Sequence, residues 1–163
     1  MIKFSFLALE NADATLPELF KILHSNMNEI APTGNSYSDD ESIWIENVRP
    51  ALDKPQRRIV LIQDDSQIIG YFQYYTNQEK FMMEEIQFIR EYHSTGVFSS
   101  LYRWLIPQLP DNIPFVEAYS HVSNKKSQQI LEHLGLKVCK DGTTGNHFHY
   151  KGNYKRLRDK YIN

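Results

Sequence analysis

A chain of 163 residues, 41% of them hydrophobic and 23% charged, is long enough for one folded domain with a substantial core. The formal net charge of −2 argues against a general attraction to nucleic acid or anionic membranes, and no run approaches the ~20 apolar residues of a membrane span. A single cysteine excludes an internal disulfide and a cysteine-built zinc site, and the opening stretch lacks a signal-peptide pattern, so we expect a soluble cytoplasmic protein.

The first part of the chain predicts one strand and two helices. Residues 2–9 are rich in aromatic and aliphatic side chains, as is typical of a strand. Thr15 near the cap and Pro17 in the first turn predict the start of a helix. Ser38 or Asp39 can cap a second helix. The apolar face of that helix is expected to contain Ile43, Trp44, Val48 and Leu52.

The middle of the chain predicts a hairpin, a strand and a helix. Residues 57–76 form two apolar runs joined by a polar turn at 64–66, which is the pattern of a β-hairpin. Residues 80–89 predict another strand. Residues 95–106 predict a helix whose apolar stripe contains Val97, Leu101 and Leu105.

The last part predicts a strand at 114–122, a short helix and two final strands around a Gly-rich turn at 141–146. Asn124 is placed to begin the helix and Gly135 to end it. Two consecutive strands joined through a helix imply a parallel crossover inside a mixed sheet. We expect residues 1–152 to form a single domain and residues 153–163 a basic C-terminal tail.

A strand-to-helix turn carries the first family resemblance. The stretch "FIREYHSTGVF", residues 88–98, resembles the V-x-P-E-Y-R-x-x-G-x-G run of the GNAT superfamily of acyl-CoA-dependent N-acyltransferases. Three residues match this pattern: Glu91, Tyr92 and Gly96. His93 takes the Gln/Arg place, and Phe98 stands where the family prefers Gly or Ala.

A second stretch carries an independent resemblance. "NKKSQQILEHLGL", residues 124–136, is similar to the family's N-x-x-A-x-x-x-Y-E-K-x-G-F. Asn124, Glu132 and Gly135 match, and Ser127, His133 and Leu136 are near matches. Leu131 occupies the place of a tyrosine that, in many members, protonates the leaving thiolate. The resemblance covers most of the chain and is weakest over residues 28–56.

The resemblance implies an α/β (α+β) fold: a mixed, mostly antiparallel sheet of about seven strands, with helices on both faces and one parallel strand pair. It also implies binding of acetyl-CoA, with the pantetheine arm paired to the end of the fourth strand. The implied cofactor contacts are Gln87, Phe88, Ile89, His93, Ser94, Thr95, Gly96, Val97, Phe98, Asn124 and Ser127. The unpaired N–H groups and positive dipole end of a helix start suit a pyrophosphate. The alternative is an ordinary capped helix, with Ser94 or Thr95 as the cap.

Proton transfer needs a base, because an alkylammonium with a pKa near ~10.4 has no free lone pair. Some family members use a glutamate on the fourth strand, which points to Glu84 or Glu85. Only one of them can face the cleft, since successive strand residues face opposite sides, and we favour Glu84. A solvated strand charge is the alternative for either residue. Tyr119 and Tyr92 are candidates to replace the missing tyrosine.

Three further features have simpler interpretations. His147 and His149 have a spacing that can bind metal, but the sequence indicates no third ligand, so no metal site is expected. Cys139 could carry an acyl group, but its apolar strand favours an inert buried thiol. The basic tail could contact nucleic acid, although a solvated terminal segment is the default.

Three functions remain open from the sequence. The first is transfer of an acetyl group from acetyl-CoA to a primary amine of a small molecule or peptide, by direct attack and without a membrane partner or nucleic acid. The second is a non-catalytic CoA-binding or regulatory module of the same fold. The third is a small α/β domain unrelated to CoA. The sequence leaves open whether the chain forms a homodimer.

Overall fold

The computed structural model describes residues 1–93 and 96–162, without the side chains of residues 141 and 142. Its strands are β1 (Ile2–Phe6), β2 (Arg57–Asp64), β3 (Gln67–Thr76), β4 (Lys80–Phe88), β5 (Phe115–His121), β6 (Lys137–Thr144) and β7 (His147–Asn153). Its helices are α1 (Ala12–Ile30), α2 (Tyr37–Ala51), α3 (Val97–Leu105), α4 (Lys125–His133) and α5 (Tyr154–Ile162). The predicted order of strands and helices is confirmed, and α5 is an addition to it.

The strands form one seven-stranded sheet in the order β1-β2-β3-β4-β5-β7-β6. β4 and β5 pair in parallel, Lys80–Met83 against Phe115–Ala118. β1 pairs antiparallel with β2, and β7 pairs antiparallel with both β5 and β6. The prediction of a mixed, mostly antiparallel sheet with a parallel crossover through a helix is therefore confirmed.

The chain folds as two compact units that share strands β3 and β4. The first contains Met1–Gln73 and Glu85–Val97, and the second contains Tyr74–Glu84 and Phe98–Asn163. The expected limit at residue 152 does not coincide with a unit boundary, because α5 belongs to the second unit.

The first unit has a core beneath α1 and α2. Its buried members are Ala12, Leu16, Leu19, Val48, Leu52, Ile59 and Tyr71. Val48 and Leu52 are buried and Trp44 packs against them, as the predicted face requires. The prediction for Ile43 is wrong, because this side chain is 52% exposed and Ile45 packs inward instead.

Both helix starts in the first unit lie earlier than predicted. α1 begins at Ala12 and contains Pro17 in its interior. The additional turn buries Ala12 completely beside the core. Pro17 supplies no backbone N–H to this helix. α2 is capped by Ser36, whose side chain accepts from the Asp39 amide at 3.1 Å, rather than by Ser38 or Asp39.

The second unit contains α3, α4, α5 and the C-terminal strands. Leu101 and Leu105 are fully buried, as the predicted stripe requires. The predicted tail is instead helix α5, in which Tyr154, Leu157 and Tyr161 are buried and the basic residues lie between them. Their i, i+3, i+7 spacing places these three side chains on one helical face, which explains why the segment folds.

Strand β6 is also longer than predicted. It reaches Thr144, so the turn before β7 contains Gly145, with a φ of +58°, and Asn146. Cys139 lies on β6 as expected, but it is half-buried rather than buried. No helix in the described ranges, 1–93 and 96–162, is long and apolar enough to cross a membrane.

Candidate active site

The carboxyl end of β4 is held tightly against β3. A Cβ atom added to Gly70 would lie 2.5 Å from the Gln87 carbonyl oxygen and 2.7 Å from the Phe88 ring. These distances are far below van der Waals contact, so only glycine fits at this position. The Ile89 amide donates to the Ile69 carbonyl at 2.8 Å, which keeps this end of the strand paired. The backbone that the resemblance assigns to pantetheine is therefore fixed by its neighbour.

The Phe88 carbonyl oxygen already has two partners in the protein. The Asn26 side-chain amide of α1 donates to it at 2.8 Å and to Gln87 Oε1 at 2.9 Å. His93 Nε2 lies 2.8 Å from the same carbonyl oxygen. A carbonyl has two lone pairs, so both are in use. A pantetheine amide could pair here only if one of these side chains moved away.

The turn that follows ends in an open position. Ser94 and Thr95, two of the predicted cofactor contacts, lie outside the described residues. Gly96 has a φ of +80°, and a Cβ atom added to it would meet no described atom within 4 Å. Val97 then begins α3, so its amide and those after it belong to a helix start that can bind an anion.

Phe98 packs within its own helix. Its ring lies edge-on against Tyr102, with 4.7 Å between the ring centroids and 68° between the planes. Tyr102 is fully buried and donates from its hydroxyl to Met83 Sδ at 3.2 Å. The bulky residue at the place of the family's Gly or Ala is thus anchored by ring contacts.

The two candidate bases have different surroundings. Glu85 Oε1 accepts from Gln87 Nε2 at 2.5 Å, and Gln87 is buried. Burial raises the pKa of Tyr71 well above its ordinary value of 10.0, and the charge of Glu85 adds to the effect. Glu84, the preferred base, is half-buried. Both assignments remain predictions.

The Tyr92 hydroxyl is hydrogen-bonded to a carboxylate in the first unit. It donates to Asp64 Oδ2 at 2.5 Å, and this bond is the main cause that raises the pKa of Tyr92 and lowers that of Asp64. A phenol with a raised pKa and a carboxylate partner is a poor proton donor to a thiolate. Of the two candidate replacements for the missing tyrosine, Tyr119 is therefore the better one.

Helix α4 has the predicted ends. The Asn124 side chain accepts from the Ser127 amide at 3.1 Å, and Gly135 has a φ of +92° beyond the last turn. Leu131, at the family's tyrosine position, is buried. The Asn124 side-chain oxygen serves the helix cap, so the cofactor role predicted for Asn124 and Ser127 would rest on their other atoms.

A second group of polar residues lies on β5 and β7. His149 Nε2 is 2.6 Å from Oε1 of Glu117, which is buried. The rings of Tyr119 and His149 stack with 4.6 Å between centroids and 12° between planes. His147, on the same face of β7 as His149, lies against His121. Within residues 1–93 and 96–162, no group of three metal-ligating side chains is placed to hold a metal ion.

Sequence reasoning missed Asn26 and Glu117. Asn26 lies on an amphipathic helix and no local signal distinguishes it from a solvated residue. Glu117 did carry a signal, because a charge within the apolar run "PFVEAYSHV" requires a partner if it is buried.

Comparison of the sequence with protein-family models and with curated proteins gives no match. Comparison of the structure with solved structures gives many. PaiA N-acetyltransferase from Thermoplasma acidophilum, solved in complex with coenzyme A, is 17% identical, with a TM-score of 0.71 over 94% of this chain and 99% of that chain. An acetyltransferase from Thermus thermophilus is 14% identical, with a TM-score of 0.70 over 94% of this chain and 97% of that chain.

A third structure extends the likeness to nearly the whole chain. FdhC, a nucleotide-linked sugar GNAT, is 12% identical, with a TM-score of 0.66 over 99% of this chain and 91% of that chain. At these identities the likeness establishes the fold. The chain has the fold of the GNAT acetyltransferases, as the two sequence motifs implied.

Proposed function

We propose that this protein is an N-acetyltransferase, which transfers an acetyl group from acetyl-CoA to a primary amine by direct attack. The observation that carries the proposal is the likeness of fold to PaiA, solved with coenzyme A, over 94% of this chain. The two sequence motifs support it independently, because they occur in the order and at the places that the fold requires.

The start of α3 is the proposed site of the pyrophosphate. No atom of the described residues lies within 4 Å of a Cβ atom added to Gly96, and the first amides of α3 supply donors and a positive dipole end. The residues of the turn, 93–97, would hold the phosphates, and the backbone of residues 87–89 would hold the pantetheine arm. Binding of the pantetheine arm at the Phe88 carbonyl would require the His93 ring or the Asn26 amide to leave that oxygen.

In this proposal the amine attacks the thioester carbonyl, whose developing negative charge is stabilised by backbone N–H groups near Phe88. Glu84 is the proposed acceptor of the ammonium proton, directly or through water. The acceptor is proposed to be a small molecule or a peptide amine.

Calorimetry and thermal unfolding with acetyl-CoA test the binding half of the proposal. A ligand at a hundredfold excess over its dissociation constant stabilises a protein by about 2.7 kcal/mol, or roughly 5–10 °C for a chain of this size. Release of CoA thiol is then measured with a polyamine, a lysine-containing peptide and an amino-sugar nucleotide. No binding and no shift in melting temperature would overturn the proposal.

A non-catalytic CoA-binding module is the second candidate. The buried Leu131 favours it, because it stands where many members of the family carry the tyrosine that protonates the thiolate. Tight binding of CoA without thioester consumption by any amine would support this candidate over the enzyme.

A further inference from the structure

The two faces of strand β5 in the second unit have different surroundings. Val116, Ala118 and Ser120 point to one face and are buried. Helices α3 and α5 pack on that face, through the contacts of Tyr102 with Met83 and of Tyr154 with Phe81. The alternate residues of β5 point to the opposite face, and two of them, Phe115 and Tyr119, are 41% and 46% exposed. This second face therefore presents aromatic side chains to solvent.

Two lysines stand directly opposite each other on the same exposed face. Lys137 of β6 pairs with Lys151 of β7, and Lys151 pairs with Glu117 of β5. Cross-strand partners project to the same side of a sheet, so both lysines lie on the face of Phe115 and Tyr119. Both are exposed, and Lys151 Nζ lies 3.9 Å from the centre of the Phe115 ring. Like charges directly opposite each other destabilise a pair of strands, and an anion between them would remove that effect.

The carboxylate that the strand register places on this face is already engaged. Glu117 is buried, and its Oε1 lies 2.6 Å from His149 Nε2 and 3.9 Å from Lys80 Nζ. The whole second unit is also positive: it contains 11 lysines and arginines and 7 aspartates and glutamates, a formal charge of +4. The first unit carries −6, which hides this charge in the total of −2. An anionic ligand therefore complements the exposed face.

Tyr119 adds a flat aromatic surface beside the two lysines. Its ring stacks on that of His149, with 4.6 Å between centroids and 12° between planes, which fixes its orientation. Tyr119 pairs with His149, and Lys151 is two residues further along β7, so Tyr119 and Lys151 are diagonal neighbours on the face. Aromatic side chains stack on any of the nucleic-acid bases, because every base has a π-face. One small ligand could contact the ring and the ammonium groups together.

We propose that this face of the second unit binds a nucleoside diphosphate, with the base on the Tyr119 ring and the phosphates between Lys137 and Lys151. A nucleoside diphosphate combines a planar ring with a compact multiple negative charge, which are the two features that the face complements. An acidic peptide would bind by adding a strand, but β5 and β7 each pair on both sides and their backbone groups are occupied. The site goes beyond the proposed function, since neither lysine is a proposed contact of acetyl-CoA.

Calorimetry of the full chain with uridine diphosphate (UDP) tests the site, with and without saturating CoA. We expect the wild type to bind UDP with the same Kd in both conditions. Lys137→Gln and Lys151→Gln should each weaken binding by about 10-fold or more, because each removes a charged contact to phosphate. Tyr119→Ala should weaken it by about 5-fold or more. Two matched controls should keep the wild-type Kd: Tyr119→Phe, which retains the ring, and Lys155→Gln, which removes an exposed lysine of α5.

Uridine and inorganic pyrophosphate separate the two halves of the site. Each should bind at least about 10-fold more weakly than UDP, because each contacts only the ring or only the lysines. Pyrophosphate that binds as tightly as UDP would overturn the role of Tyr119.

Three other outcomes would overturn the proposal. They are no binding of UDP by the wild type, a Kd that neither lysine substitution changes in a folded protein, and competition between UDP and CoA. The last would assign the nucleotide to the CoA site. Because none of these measurements requires turnover, they give the same answer whether or not the protein acetylates an amine, and a failure of the proposed function would be seen separately.

Discussion

Asn26 and Phe88 are 62 residues apart in the chain, and the side-chain amide of Asn26 donates to the Phe88 carbonyl at 2.8 Å. This bond ties α1 to the end of β4. Because His93 Nε2 lies 2.8 Å from the same oxygen, the protein itself occupies the carbonyl that a pantetheine arm would use. The apo protein therefore carries an internal competitor for its proposed ligand.

Replacing His93 with alanine is expected to tighten CoA binding. The substitution removes one hydrogen bond that the ligand must displace, which corresponds to about 0.5–1.5 kcal/mol, or roughly 2–10-fold in Kd. Calorimetry with CoA measures the change, and Glu91→Ala, at an exposed neighbouring position, is the control. Weaker binding by His93→Ala would instead support a direct contact between His93 and the phosphates.

Substitutions at Gly96 distinguish a turn that binds phosphate from a turn that only changes the direction of the chain. Asparagine and aspartate both tolerate a positive φ and have nearly the same shape, so they impose the same strain at a φ of +80°. A carboxylate close to a pyrophosphate should weaken CoA binding by about 10-fold or more, relative to the amide. We expect Gly96→Asp to bind CoA more weakly than Gly96→Asn by that factor. Equal Kd values for the two variants would show that the phosphates lie elsewhere.

The Tyr92–Asp64 bond should make stability depend on pH at both ends of the scale. The pKa of Asp64 is lowered from 3.8 in the folded state, so its stabilising effect is present above about pH 3.8 and is lost as the pH falls through the folded pKa. The pKa of Tyr92 is raised from 10.0, so its effect is present below about pH 10 and is lost as the pH rises through the folded pKa.

Urea unfolding of the wild type, Tyr92→Phe, Asp64→Asn and the double variant measures this coupling. We expect a favourable coupling free energy at neutral pH that disappears in acid and in strong alkali. A coupling that is constant with pH would contradict the assignment of this bond to ionised Asp64.

Tyr71 has a buried hydroxyl that makes no hydrogen bond to the described residues. The residue is fully buried, and within the described chain its oxygen has no hydrogen-bond partner. Tyr71→Phe keeps the ring packing against Trp44 and removes the desolvation cost of the hydroxyl. We expect the free energy of unfolding to rise by about 1–2 kcal/mol.

Tyr102→Phe is the matched control for Tyr71→Phe. Tyr102 is as deeply buried, but its hydroxyl donates to Met83 Sδ, so its removal should give no comparable gain. Urea unfolding measures both variants. A loss of stability in Tyr71→Phe would indicate a bound water at the hydroxyl.

Most of the fold could be predicted because its periodicities are local. The alternation of apolar residues in β2 to β5 and the stripe Val97, Leu101 and Leu105 reflect burial that each segment shows by itself. The errors occur where tertiary packing decides. Helix α1 begins at the buried Ala12, earlier than predicted, so that Pro17 lies in its interior. The three buried residues of α5 fold a segment whose positive charges predicted a solvated tail.

The candidate site could be predicted only in part, for the same reason. The turn at Gly96 and the cap at Asn124 are contiguous motifs, so the sequence contains all of their information. The contact between Glu117 and His149 depends on the register of β5 against β7, which join residues 32 positions apart. The hydrogen bond from Asn26 to the end of β4 likewise depends on how α1 packs, which no local sequence pattern specifies.

Cys139 is the one cysteine in the chain, and it lies half-buried on β6, inside the shift of register between Val138 and Thr143. A maleimide dye would therefore attach to Cys139 alone, and no other cysteine would have to be removed by mutation. Since β6 pairs with β7, the strand that carries His149, fluorescence from that dye would follow changes in this hairpin as acceptor amines are titrated in. Screening for the acceptor by emission alone would then need neither turnover nor a radiolabel.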